Sequence, residues 1–162
     1  MSPRAACRLE TLGFDKVHDY VPGKVDWLAH NLPTVGDHAD RLTAGQLVRD
    51  DVPTATLDED LASVRARLQE SDYGFALVLS TQGILLGRLR ASAIAATGIT
   101  SVEAAMDAGP STVRPDVTAT DLLKRLRGRK LTSALVTTPE GKLVGVVRRR
   151  DLAVALESSS RD

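Results

Sequence analysis

At 162 residues, with 43% apolar and 26% charged residues, the chain has room for one medium domain or two small ones closed over a shared core. The 21 basic and 21 acidic residues cancel formally, which argues against a protein whose main work is to hold nucleic acid or an anionic membrane. Aromatic residues make up only 3%, so the core must be aliphatic, and Cys7 as the single cysteine excludes an internal disulfide and a cysteine-built zinc cage. No apolar run reaches membrane-spanning length and the first residues lack the apolar stretch of a signal peptide, so a reducing cytosol is the expected location.

In chain order, residues 5–12 have helical pattern and Gly13 stops them, residues 16–20 are a candidate strand, and Gly23 precedes a short helix over 25–30. Residues 31–41, with Pro33 and Gly36, read as a linker. Thr43 is positioned to cap a short helix over 44–48, followed by a polar break at 49–53 and a strand at 54–57. A helix over 60–70 carries Leu61, Val64 and Leu68 on one face. Strand 75–79, a turn at 81–83 and strand 84–89 follow, and a helix over 91–96 ends at Gly98. Thr100-Ser101-Val102-Glu103 has the form of a capping box opening a helix over 102–106. Strand 112–114, a helix over 119–126 capped by Thr118, strand 134–138, the turn Pro139-Glu140-Gly141, strand 143–147 and a helix over 150–156 complete the chain, with residues 158–162 as a polar tail.

The last two thirds of this list are one pattern written twice. Residues 54–97 shifted forward by 58 fall on 112–155 without a gap: Thr54 on Thr112, Asp58 on Asp116, Arg67-Leu68 on Arg125-Leu126, Ala76-Leu77-Val78 on Ala134-Leu135-Val136, Gly83 on Gly141 and Gly87 on Gly145. A supersecondary unit that repeats needs its twin to cover its apolar face. The expected fold is therefore α/β (α+β): two pseudo-symmetric strand-helix-strand-strand-helix repeats forming one tandem module, plus a short N-terminal αβα arm. The units run over 1–42 (arm and linker), 43–99 (repeat one), 100–157 (repeat two) and 158–162 (tail). Function is to be sought where the copies meet and where they differ.

The repeat unit resembles the CBS domain, the regulatory motif first named from cystathionine β-synthase. The resemblance rests on Thr-x-x-x-Asp at 54–58 and 112–116, on the strand-turn-strand run Ala134–Val147, and on the closing Arg148-Arg149-Arg150-Asp151-Leu152. It implies a non-enzymatic sensor that takes an adenosine-containing ligand between paired repeats: AMP, ADP or ATP first, with S-adenosylmethionine and NAD behind them, and no cofactor required. It also implies a homodimer and an unidentified protein partner. Residues 5–36, with Gly13-Phe14, Val17 and Tyr20 to Trp27, resemble the closing part of a rhodanese domain. That family's persulfide cysteine lies in a loop upstream of this stretch, so Cys7 is not expected to be a nucleophile.

By the same resemblance Asp151 accepts hydrogen bonds from the two ribose hydroxyls, which suits a carboxylate with two acceptor oxygens. From position alone Asp151 equally reads as a first-turn acid favoured by the helix dipole. Ala93, its counterpart in repeat one, cannot hold a ribose, so one site per chain is expected. Arg148 stands where the family has threonine and is either a phosphate clamp or a side chain snorkelling from the sheet edge, as is Arg90 in repeat one. Thr112-Val113 and Ser133-Ala134-Leu135 are the implied adenine pocket, and equally read as core strand residues. The basic run Arg125–Lys130 reads as a solvated face, and His18, His30 and His38 lack metal-ligand spacing. No nucleophile-base set, paired catalytic carboxylates or phosphate-cradling glycine loop is present, so no enzyme is expected; the alternative function is a ligand-free scaffold contacting a protein partner.

Overall fold

The computed structural model describes residues 2–30, 32–36, 41–95 and 101–159. Its elements are α1 (Ser2–Thr11), α2 (Gly23–Ala29), a 3-10 turn at Gly45–Leu47, β1 (Thr54–Ala55), α3 (Leu61–Gln69), β2 (Phe75–Leu79), β3 (Leu85–Arg90), α4 (Ala91–Ile94), α5 (Val102–Ala105), β4 (Asp107–Ala108), β5 (Thr112–Val113), α6 (Ala119–Gly128), β6 (Ser133–Thr137), β7 (Leu143–Arg148) and α7 (Arg149–Ser159). The order strand, helix, strand, strand, helix occurs twice, in a mixed α+β fold. Side chains start the helices: Asp60 accepts from the amides of Ala62 and Ser63, Ser101 from Ala104, and Thr118 from Asp121.

The 58-residue offset survives into three dimensions. Leu77 faces Arg88 and Val78 faces Gly87 across β2–β3; Leu135 faces Val146 and Val136 faces Gly145 across β6–β7. Both ladders slip by one residue at the same place, after Val78 and after Val136. The hairpin turns of the two copies bond to each other reciprocally, Leu85 N–H to the Gly141 carbonyl and Leu143 N–H to the Gly83 carbonyl, both at 3.0 Å. This pseudo-twofold contact is backed by an aliphatic seam of Val52, Leu77, Leu135 and Val146, all buried.

Each repeat is completed by the segment that precedes the other in sequence. Residues 42–49 lie on repeat two: Ala44 N–H bonds the Val117 carbonyl, Ala119 N–H the Leu42 carbonyl, and Arg49 exchanges two 2.9 Å bonds with Val146. Residues 102–108 lie on repeat one, where Val102, Ala105 and Met106 join the core of Val64, Leu68, Ala76 and Leu89, and β4 pairs with β3. Close passage explains two glycines. A Cβ at Gly87 would sit 2.5 Å from Met106 Sδ, and one at Gly145 would overlap the Arg49 carbonyl oxygen and Val48 Cγ1.

Several expectations are corrected. The arm is α1–coil–α2, not αβα: residues 16–20 form no strand, because no neighbouring edge takes their backbone groups and all but Val17 are exposed. The segment at 43–48 is a 3-10 turn rather than a capped α-helix. The Thr43 amide bonds the Gln46 side chain, while the Ala44 and Gly45 amides bond carbonyls of repeat two. The last helix runs through Ser158 and Ser159, whose hydroxyls bond carbonyls one turn back. Gly98, Thr100, His38 and the end of the tail lie outside the described residues. Trp27 packs edge-on against Tyr20 and donates to the Pro33 carbonyl, both within the arm and its linker; it is the Leu28 carbonyl that meets the body, 3.0 Å from where a Gly45 Cβ would be.

If Gly145 is the gap through which the crossing segment passes, Gly145→Ala should lower stability by about 1–3 kcal/mol through overpacking. Gly128→Ala, which meets nothing within 4 Å at the end of α6, should be neutral or slightly stabilising. Urea denaturation of the two variants checks this; equal stabilities would contradict the assignment.

Candidate functional site

The pseudo-twofold arrangement sets the closing end of one repeat's hairpin against the opening of the other's. At repeat two's closing end, Arg148 lies over the ring of Tyr73 from repeat one, with the guanidinium carbon 3.9 Å from the ring centroid. Tyr73 donates a hydrogen bond to Asp51, and Asp51 is gripped by Arg49 through two bonds, the shorter at 2.6 Å. Arg49 in turn reaches Asp151, 3.8 Å away on the first turn of α7, and Arg150 approaches the other Asp151 oxygen at 3.4 Å. One continuous polar cluster therefore joins both repeats and the crossing segment.

Its electrostatics follow from these contacts. The Arg49 guanidinium, with help from the Tyr73 hydroxyl, holds the Asp51 carboxyl well below the usual carboxylate range. Arg49 is pushed further up by the same pair. Burial and the bond to Asp51 raise the Tyr73 phenol, against an opposing effect of Arg148. Asp151 is different. Its Oδ2 is shielded from solvent and, among the described residues, accepts no hydrogen bond. A shielded carboxylate oxygen that accepts no hydrogen bond is uncommon, and here the Arg49 guanidinium lies 3.8 Å from that same oxygen.

Two clefts flank the Arg148–Tyr73 stack. One, about 390 Å³, is walled by Tyr73 and Phe75 from repeat one and by Ser133, Arg127 and Arg148–Arg150 from repeat two. The other, also about 390 Å³, is lined by Asp51, Pro53, Arg67, Tyr73 and Arg148 among others. Among the described residues Arg127, Arg148 and Arg149 have no carboxylate within 4.0 Å, and the first cleft sets four arginines, Arg127 and Arg148–Arg150, against the single carboxylate Asp72, so it is basic on balance.

The residues singled out in the sequence do not all meet. Asp151 and Arg148 belong to the cluster just described, and Ser133 borders its first cleft. Thr112, Val113, Ala134 and Leu135 line a separate hollow of about 150 Å³ together with Arg88, Arg125 and Arg129; Ser133 borders this one too. The separate hollow is bordered by Arg88 of repeat one, the repeat in which Ala93 stands at the place of Asp151. In that repeat Arg90 is tied directly to Asp107 at 2.8 Å instead of stacking on a ring. Sequence reasoning passed over Arg49, Asp51, Tyr73, Phe75 and Arg127. A signal existed, since shifting by 58 turns Arg49, Asp51, Tyr73 and Phe75 into Asp107, Gly109, Leu131 and Ser133, the kind of difference between copies that marks a one-sided site.

With the geometry in view, comparison with known proteins gives a consistent class. Residues 101–158 match the CBS domain model. Among solved structures of similar fold, CBSX2, a CBS-pair protein from Arabidopsis thaliana, in complex with AMP aligns at 19% identity with a TM-score of 0.64, over 74% of this chain and 98% of that one. The CBS-domain pair of protein MJ0100 in complex with 5′-methylthioadenosine and S-adenosyl-L-methionine aligns at 15% identity, TM-score 0.61, over 74% and 98%. The cytosolic domain of the Mg2+ channel MgtE in complex with ATP aligns at 22% identity, TM-score 0.62, over 70% of this chain and 48% of that one; the chain spans about half the length of that channel domain. No curated protein matches the sequence. The chain therefore carries a CBS domain in its second repeat and has the fold of a CBS-domain pair. Among the described residues no helix is long and apolar enough to cross a membrane, and no group of three or more potential metal ligands gathers.

Because the Asp51 pKa is depressed, its contribution to stability is present above its ordinary value of 3.8 and lost as pH falls below it. Asp51 is 46% exposed, so the contribution should be no more than ~1 kcal/mol. The stability difference between wild type and Asp51→Asn should be constant from neutral pH to about pH 5 and shrink below 3.8, read from urea midpoints.

Proposed function

We propose that this chain is a non-catalytic regulatory module that binds an adenosine-containing ligand, AMP, ADP or ATP before S-adenosylmethionine or NAD, in the cleft between its two repeats. The observation that carries the reading is Asp151, a carboxylate at the head of α7 with one shielded oxygen that accepts no hydrogen bond among the described residues, directly after Arg148–Arg150, which line a basic, aromatic-walled cleft. A ribose diol supplies two donors to such a group. Arg148, Arg149 and Arg127 offer guanidinium forks to phosphates, and Tyr73 and Phe75 offer an apolar wall to a base. Similar folds hold AMP, ATP and S-adenosylmethionine, which supports the ligand class. Val113 and Leu135 are only 7% and 6% exposed and serve the core first, so the adenine contacts assigned to the Thr112–Leu135 set pass to the repeat-one wall.

Binding shifts a conformational equilibrium by the ligand's differential affinity for two states of the pair. The readout lies in a protein partner or in self-association as a homodimer, in the cytoplasm. The arm, a rhodanese-like remnant in this reading, has no sulfur-transfer role: Cys7 is exposed on α1 with no base beside it among the described residues. A ligand-free scaffold is the second reading, favoured by the way Arg49 and Arg148 are already partnered within the chain.

Titration calorimetry separates the two. Asp151→Ala removes charge-assisted bonds worth roughly 1.5–3 kcal/mol, about a 10- to 150-fold loss of affinity for an adenosine ligand. Arg148→Ala should weaken phosphorylated ligands and spare adenosine. Unchanged affinity in Asp151→Ala refutes the ribose assignment, and absence of binding to all these ligands by wild type leaves the scaffold. For the dimer, sedimentation at micromolar concentration should give twice the 17.3 kDa chain mass; a clean monomer overturns it.

A further inference from the structure

One of the two clefts beside the Arg148–Tyr73 stack is lined by an anion of the chain itself, Asp51. Asp51 sits where Arg49 and the Tyr73 hydroxyl can both hold it, close enough to Arg148 to feel its charge. The ring of Tyr73 is in turn covered by the Arg148 guanidinium, so the stack stands as a partition between the two 390 Å³ clefts, both of which it lines. Arg49 and Arg148 are thus engaged by groups inside the chain before any ligand arrives.

This device is confined to one side. Under the 58-residue shift Asp51 becomes Gly109 and Tyr73 becomes Leu131, so the other hollow has neither the carboxylate nor the ring. The two repeats share backbone register almost residue for residue, and neither Asp51 nor Tyr73 is required by the fold at its mate. Tyr73 packs on the aliphatic seam and edge-on against Phe75, but that packing requires neither its hydroxyl nor the Asp51 carboxylate, which meet beside Arg49.

We propose that Asp51 is an internal competitor, a carboxylate latch that a phosphate-bearing ligand must displace from Arg49, with Tyr73, stacked under Arg148, holding the latch closed. This rests on the nucleotide reading above. A phosphate that takes Arg49 leaves the tethered Asp51 carboxylate without its guanidinium partner, so the latch raises the threshold for phosphorylated ligands while leaving the uncharged nucleoside unaffected. The latch also defines two states: closed, with Arg148 on Tyr73 and Arg49 on Asp51, and open, with the partition removed and the two clefts joined.

The test is calorimetric titration of ADP and of adenosine into wild type, Asp51→Asn and Tyr73→Phe, each first shown to melt cooperatively. Asp51→Asn removes the competing charge with little change of shape, and Tyr73→Phe removes only the hydroxyl that holds it. Both should bind ADP about fivefold more tightly than wild type, the scale of one partly exposed charge pair, and Asp51→Asn, which leaves the aromatic wall untouched, should bind adenosine within about twofold of wild type. If wild type binds ADP and both variants bind it equally or more weakly, the latch is wrong and the nucleotide site stands. An equal gain for adenosine also overturns the latch, since a general opening of the cleft would then be the cause. No binding of ADP or adenosine by any of the three proteins removes the nucleotide site and the latch with it.

Discussion

Everything in this structure depends on two backbone segments passing tightly over the opposite repeat. The Arg49–Val146 bond pair and its counterpart, β4 on β3, need a strand neighbour with no Cβ, and Gly145 and Gly87 supply it. The exchange ties each repeat's core to a segment that belongs to the other in sequence. Ala44 is buried among Val113, Ala119 and Leu122, while Val102 and Ala105 are buried among Val64 and Leu89. Neither two-residue opening strand nor short hairpin would stand alone, and an exchanged segment with a shared aliphatic seam makes the two copies one cooperative body.

The same constraint decides where polar chemistry gathers. A crossing segment must end somewhere, and Arg49 is the residue at which residues 42–49 leave repeat two's sheet. Its side chain therefore emerges between Asp151 on α7 and Asp51 two residues on. In the mirror position the segment delivers Asp107, which meets Arg88 and Arg90 instead. Identical backbones thus carry reversed charge at equivalent places: an arginine beside an aspartate on one side, an aspartate beside arginines on the other. Only the first leaves a carboxylate oxygen without a donor, and only there do two aromatic rings stand near the arginines.

Much of the fold was legible because it is local or repetitive. The offset of 58, the element order and the cap at Thr118 follow from periodicity and capping chemistry, which act within a few residues. The exchange was not legible, since nothing in residues 42–49 states which repeat they pair with; that choice is made by contacts some 70 to 100 residues away. Asp151 and Arg148 were found from their place at the start of α7, whereas Arg49 and Tyr73, which meet them, come from segments distant in sequence. Residues 16–20 failed for a related reason: strand propensity in the arm had no edge to pair with.

The crossing segment also connects the cluster to the arm. Gly45, pressed beneath the Leu28 carbonyl of α2, and Arg49, bonded to Val146 and facing Asp151, are four residues apart on one short stretch that begins with the 3-10 turn. Its backbone is held at Ala44, Gly45 and Arg49, so the stretch has little freedom to bend between the arm and the cleft. A ligand that draws Arg49 from Asp51 has two ways to be accommodated. The side chain alone can swing, leaving the arm unmoved, or the Arg49–Val146 pair can shift and carry Gly45 with it. The two buried bonds at 2.9 Å favour the first for small displacements, because breaking them exposes paired backbone groups inside the fold. On the proposed reading the arm would respond only to ligands bulky or charged enough to move the strand itself, which couples the identity of the ligand to whether a signal leaves the cleft.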